Sequence, residues 1–253
     1  MPFYVFPLIG LLLGLIIGSF LATLVVRWPE GQSVIQGRSQ CDHCRTQLKA
    51  WDLIPVMSFI LCGGKCRYCR KAITPDHLVI ELASAIIGGF ALYISPDVIG
   101  LTGAFFGWLL IVLAALDAKY LWLPDRLTLL LGICGLHVAF FIEGSDVVIR
   151  VCSGLAGFGS LWLLGKAYRI FRNREGLGGG DPKMFGAIGC WLGWEALPLV
   201  LLGAAIVGLF VALLSHMRGE DISSDSALPL GSFMAVSAFP LWLYQTGTGG
   251  LIF

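Results

Sequence analysis

The chain has 253 residues, of which 57% are hydrophobic and only 13% charged, against roughly 45–50% and 25% in soluble domains, which excludes a soluble globular fold. A formal net charge of +1 offers no global attraction for nucleic acid or for an acidic partner, so no nucleic-acid binding is expected. What the charges say must lie in their placement.

Apolar runs recur at the length a bilayer-spanning helix needs, roughly 17–25 residues. They predict an all-α polytopic membrane protein of about eight spans, at 3–26, 77–94, 98–116, 127–142, 147–166, 183–194, 196–215 and 228–246, the sixth being the shortest. No basic segment precedes the first run, and the first positive charge, Arg27, follows it. It therefore reads as an anchor with its N-terminus outside, not as a cleaved signal peptide. With eight crossings, the segments 27–76, 117–126, 167–182 and 216–227 share one face. Together with the span-end residues Lys166 and Lys183 they carry 16 of the 17 Lys and Arg residues, leaving only Arg150 opposite. Basic residues in short loops mark the cytoplasmic face, so the partition orients the chain. The chain then divides into a first helix at 1–26, a cytoplasmic segment at 27–76 and a transmembrane portion at 77–253.

The 27–76 segment has eight basic and four acidic residues, a net charge of +4, and is too small to bury a self-sufficient core without a staple. It contains Cys41-Asp-His-Cys44 and, 21 residues later, Cys66-Arg-Tyr-Cys69. Each C-x-x-C pair can turn two thiolates toward one tetrahedral ion, and four such ligands close the site, so the expectation is a structural zinc that folds the loop. The flanking Arg45, Lys65, Arg67, Arg70 and Lys71 favour thiolates. The alternative is a redox dithiol or plain reduced cysteines, which a cytoplasmic location makes a poor host for stable disulfides. His43 reads as a loop residue, Cys62 has no assigned role, and Cys134, Cys152 and Cys190 read as packing residues within apolar runs.

Carboxylates beside apolar segments are costly, at roughly 2.5–3.5 kcal/mol for an Asp at a helix centre, and call for a function. Asp117 closes the third span, Asp125 opens the fourth after Pro124, Asp181 follows Gly178-Gly-Gly at the sixth, and Glu81 lies just inside the second. Asp117 and Asp181 fall on the same border. Two carboxylates brought together share one proton, and such a pair can activate water and protonate a leaving group, which is peptide hydrolysis without a metal. Gly178, Gly179 and Gly180 would admit positive φ and let a substrate strand approach beside Asp181. The plainer alternative makes each Asp a solvated charge or a helix N-cap, a role that suits Asp125. Two other functions compete: a membrane thiol oxidoreductase using the cysteine pairs, and a transporter using the aspartates as an ion path.

In chain order the sequence carries Gly18-Ser-Phe-Leu-Ala22, Arg27-Trp-Pro29, the two cysteine pairs, Trp51-Asp-Leu-Ile-Pro55, Gly64-Lys-Cys-Arg-Tyr-Cys69, Glu81, Asp117, Leu123-Pro-Asp125 and Gly178-Gly-Gly-Asp181-Pro-Lys-Met184. In this combination the chain resembles the bacterial type IV prepilin peptidases, GxGD aspartic membrane proteases of pilus and type II secretion systems. The resemblance implies that Asp117 and Asp181 are the catalytic pair. It also implies cleavage of prepilin or pseudopilin leaders after a Gly at the cytoplasmic face of the bacterial inner membrane. Many members then methylate the new N-terminus with S-adenosylmethionine, an activity associated with the cysteine-bearing loop. The family usually has Asn where this chain has Ala22, a departure that bears on methylation more than on cleavage.

Overall fold

The computed structural model describes residues 4–33, 39–41, 43–174, 176–219 and 228–249. Among these there is no strand, only two isolated bridges, Gln40 with Gln47 and Lys65 with Ala72. The chain divides into two compact units, Met1–Val112 and Leu113–Phe253.

The first unit holds α1 (Val5–Arg27), a 3-10 turn (Ala50–Leu53), the short α2 (Met57–Leu61), α3 (Asp76–Ile94) and the first part of α4 (Val98–Tyr120). Helices α1 and α3 meet through small residues. A side chain at Gly10 would collide with the Gly88 carbonyl, one at Gly14 with the Ser84 carbonyl, and a Cβ on Gly18 would lie 2.8 Å from the Glu81 Cα. Backbones approach this closely in membranes because packing and not apolar burial drives helix association there. The Trp108 indole N–H adds a hydrogen bond to the Ser84 carbonyl at 2.9 Å.

The second unit holds the end of α4, then α5 (Asp125–Val138), which runs into a π-helical turn at Ala139–Glu143, followed by α6 (Val147–Arg172), α7 (Asp181–Leu192), α8 (Leu197–Met217) and α9 (Leu230–Gly247). Its centre is α7. Ten of the 12 residues of α7 are buried, enclosed by α5, α6 and α9. Gly186 and Gly189 face Gly154 and Ser153 of α6 without room for a Cβ, and the Trp191 indole N–H bonds the Leu131 carbonyl of α5 at 2.7 Å.

Each of the eight predicted segments coincides with a helix, and among the described residues six helices are long and apolar enough to cross a membrane: α1, α3, α4, α5 with its π turn, α6 and α8. The count of eight crossings is thus approximate. With 12 residues, α7 is about 18 Å long, short of the roughly 30 Å hydrocarbon core, while α9 is diluted by Ser, Gln and an internal Pro240. The apolar character of α7 comes from burial among its neighbours. Cys152 differs from its expected packing role, since it is exposed on α6. Cys190 does pack, with its Sγ against Gly154.

Candidate active site

Asp117 lies inside α4, one turn before the helix ends at Tyr120, and not at the helix terminus that the apolar pattern implied. Asp181 is the first residue of α7, with Gly180 as N-cap and Pro182 in the first turn. Pro suits that turn because its missing N–H would have no intrahelical partner, and the positive end of the helix dipole favours a carboxylate there. Both carboxylates are buried, Asp117 at 5% and Asp181 at 7% exposure.

The start of α9 completes the surroundings of Asp117. The Ser232 backbone N–H donates to Asp117 Oδ2 at 2.8 Å. The Ser232 hydroxyl lies 3.2 Å from the same oxygen and 2.8 Å from the Ala114 carbonyl. Its single proton can serve either acceptor, so it can donate to an ionised Asp117 or turn to Ala114 and accept from a protonated one. Asp181 Oδ2 accepts from the Gly178 backbone N–H at 3.0 Å. Leu123 links the two sides: a Cβ on Gly180, the residue before Asp181, would lie 2.7 Å from Leu123, and one on Gly231 would lie 2.9 Å from both Leu123 and Asp117 Oδ2. The structure therefore brings Asp117 and Asp181 into one neighbourhood, around a helix start that sequence reasoning passed over. Gly231-Ser232 two residues after Pro229 was the available signal, a small polar pair opening an apolar helix.

The glycines act otherwise than expected. None of Gly178, Gly179 and Gly180 has positive φ, so left-handed freedom is not what they supply. A Cβ on Gly180 would lie 2.7 Å from Leu123 Cβ, and one on Gly178 would lie 3.0 Å from Asp181 Oδ2. Gly180 thus has no room for a side chain, and one at Gly178 would press on the Asp181 carboxylate. Gly179 meets nothing within 4 Å and leaves its backbone open. Asp125 also departs from its expected cap role. Pro124 is the N-cap of α5 and no side chain caps that helix. Asp125 instead pairs with Lys183 of α7 at 2.6 Å, joining the Leu-Pro-Asp turn to the helix that Asp181 begins.

In the first unit, Cys41, Cys44, Cys66 and Cys69 gather with all four Sγ atoms within 4.8 Å of one another, and Cys41 and Cys69 are 3.9 Å apart. Tetrahedral zinc with Zn–S bonds of 2.3 Å needs S···S separations of about 3.8 Å. The two pairs share one local geometry. Arg45 N–H bonds the Cys41 carbonyl at 2.8 Å, Arg70 N–H bonds the Cys66 carbonyl at 2.9 Å, and Arg45 and Arg70 both have positive φ, 55° and 60°. Each turn leaves backbone N–H groups to stabilise thiolate. Hydrogen bonds from Thr46 hold the Cys44 thiol down at about 6, and the Cys69 amide chiefly lowers Cys66. The Lys71 amide also draws Cys69 down, but burial and the neighbouring thiols outweigh it and push Cys69 up to about 11. Four sulfur donors gathered within 4.8 Å of one another fit a soft tetrahedral metal, whose binding would displace the remaining thiol protons. Neither His43 nor Cys62 belongs to the cluster. Cys62 Sγ accepts from the Arg67 guanidinium at 3.8 Å.

Residues 12–95 match the model of the bacterial peptidase A24 N-terminal domain, and residues 104–213 match that of the type IV leader peptidase family. The chain is 35% identical to a prepilin leader peptidase/N-methyltransferase of Burkholderia pseudomallei, over 94% of this chain and 85% of that protein. It is 36% identical to the protein of that name from Dickeya chrysanthemi, over 90% and 88%, and 31% identical to the one from Neisseria gonorrhoeae, over 94% and 91%. No solved structure matches the chain.

Proposed function

The chain belongs to the type IV leader peptidase family, and we propose that it is an aspartic endopeptidase removing the leaders of type IV prepilins or type II secretion pseudopilins. Cleavage would follow a Gly at the cytoplasmic face of the bacterial inner membrane. The observation that carries this reading is the pair of buried carboxyl groups, Asp117 accepting from the Ser232 backbone N–H and Asp181 from the Gly178 backbone N–H.

In such a pair one carboxyl holds a proton while the other is an anion. The anion takes a proton from water as the water oxygen attacks the scissile carbonyl carbon, and the protonated carboxyl gives its proton to the carbonyl oxygen. When the tetrahedral intermediate collapses the C–N bond breaks, and the amine leaves with a proton returned through the dyad. Ser232 would hold Asp117 in place through both protonation states. The open backbone at Gly179, with Gly178 and Gly180 beside it, is where the substrate strand would lie against Asp181.

The four cysteines would hold zinc, which supplies tetrahedral cross-linking when bound and leaves no open position for water. Residues 27–76 would then be a zinc-stapled domain between a first helix at 1–26 and the peptidase portion at 77–253. The relatives' names support a second activity, transfer of a methyl group from S-adenosylmethionine to the amine that cleavage exposes. Ala22, where the family usually has Asn, is fully buried in α1. The distribution of basic residues supports a periplasmic N-terminus.

The test is incubation of a prepilin with the purified, lipid-reconstituted protein, with and without S-adenosylmethionine. Mass spectrometry should find cleavage after the leader Gly in both samples and a product heavier by one methyl group only in the second. An uncut prepilin would refute the reading.

A further inference from the structure

Between Asp52 and Lys65 the chain carries no charged residue. This stretch includes α2 and the end of the 3-10 turn, yet it is not buried within the protein: Ile54 is 49% exposed, Met57 54%, Ile60 63% and Leu61 72%. Contiguous apolar surface of this kind marks a contact with something else.

Its depth identifies what covers it. The Val56 backbone N–H donates to Glu81 Oε2 at 2.8 Å. Glu81 is the sixth residue of α3, which places it about 7–8 Å along the axis from Asp76 at 1.5 Å per residue. The 19 residues of α3 span about 28 Å, barely the roughly 30 Å of hydrocarbon, so the start of α3 cannot stand far out in water. A segment bonded to Glu81 therefore runs at the edge of the hydrocarbon. The bond also answers a need of that location, where irregular backbone cannot leave an N–H without a partner. It holds Val56 at φ 61°, a conformation unfavourable for a β-branched residue.

The flanks complement phospholipid. Lys49, Lys65, Arg70 and Lys71 are exposed, and the Lys49 ammonium lies 5.5 Å from the centre of the Trp51 ring, a pairing of cation and indole suited to the headgroup level. Arg67 turns the other way, to Asp52 at 3.3 Å, and Tyr68 donates to the same carboxylate at 3.0 Å. Asp52 thus ties the second cysteine turn to the apolar stretch.

We propose that residues 51–61 form an interfacial anchor that inserts into the phospholipid bilayer beside α3 and seats the four-cysteine module on the membrane surface. The inference rests on the membrane-spanning character of α3 and not on the peptidase reading.

The experiment uses the full chain in nanodiscs of phosphatidylcholine and phosphatidylglycerol without substrate. A genetically encoded, ketone-reactive spin label is placed at position 60, at 57 as a second site, and at the exposed position 43 of the cysteine module as the aqueous reference. Power-saturation measurements should give an oxygen-to-nickel-chelate accessibility ratio several-fold higher at 60 and 57 than at 43. Equal access of the chelate to all three positions would overturn the proposal. So would shielding of 60 and 57 that develops only when a prepilin peptide is added, because the surface would then be a docking site for substrate.

Discussion

A methyl group added to Gly231 would sit 2.9 Å from Asp117 Oδ2 and 2.9 Å from Leu123 Cδ1. Neither neighbour is the free end of a mobile chain, since Asp117 is held by Ser232 and Leu123 is buried. Gly231→Ala should therefore move the Asp117 carboxylate. Displacement of a catalytic group by about 1 Å costs on the order of 100-fold in rate. Prepilin turnover by the variant, compared at matched membrane levels, should fall by about that factor while insertion is retained; wild-type turnover would remove Gly231 from the site.

Asp125 and Lys183 make the contrasting case. Their side chains are 74% and 44% exposed, and exposed ion pairs contribute only about 0–1 kcal/mol. Asp125→Asn should keep cleavage within about threefold of wild type, because it breaks one such pair and no cap. Steady-state processing of a prepilin checks this, and loss of activity comparable to a dyad mutant would move a catalytic role to Asp125.

The cysteine cluster predicts about one tightly bound zinc per chain, measurable by elemental analysis of protein purified under reducing conditions. Cys41→Ser or Cys69→Ser should lose the metal and render the 27–76 loop sensitive to protease, because metal binding and local folding are one free energy. Metal-free protein with a protease-resistant loop would contradict this.

The 16 to 1 division of basic residues across the expected faces predicts the orientation of the chain. A topology reporter fused after residue 50 should report as cytoplasmic, and one fused at residue 144 as external. The reverse pattern would put the dyad on the other side of the membrane.

The helices were legible because bilayer thickness imposes a length on apolar runs, and Asp181 stood out because a carboxylate follows three glycines. The four cysteines were legible from spacing alone. Ser232 and Gly231 were not, since a Ser and a Gly at a helix start have many ordinary uses, and their meaning arises only when α9 meets α4 across 115 residues of sequence. The glycines before Asp181 do not use the positive φ that their sequence suggested. Their conformational freedom was the visible property, whereas Leu123, distant in sequence, decides that Gly180 must lack a side chain. Asp125 was misread because a carboxylate after Pro at a helix start fits a cap locally, and only the fold brings Lys183 to it.

The most direct test of the dyad is prepilin processing by Asp117→Asn and Asp181→Asn, read by gel shift with protein levels and membrane insertion matched. Amide replacement keeps the size and much of the hydrogen bonding of each side chain but removes its ability to take or carry the water's proton, a role worth roughly 100- to 10,000-fold. Each single variant should leave the prepilin uncut over the interval in which wild type completes cleavage. Full processing by either one would contradict the shared-proton mechanism.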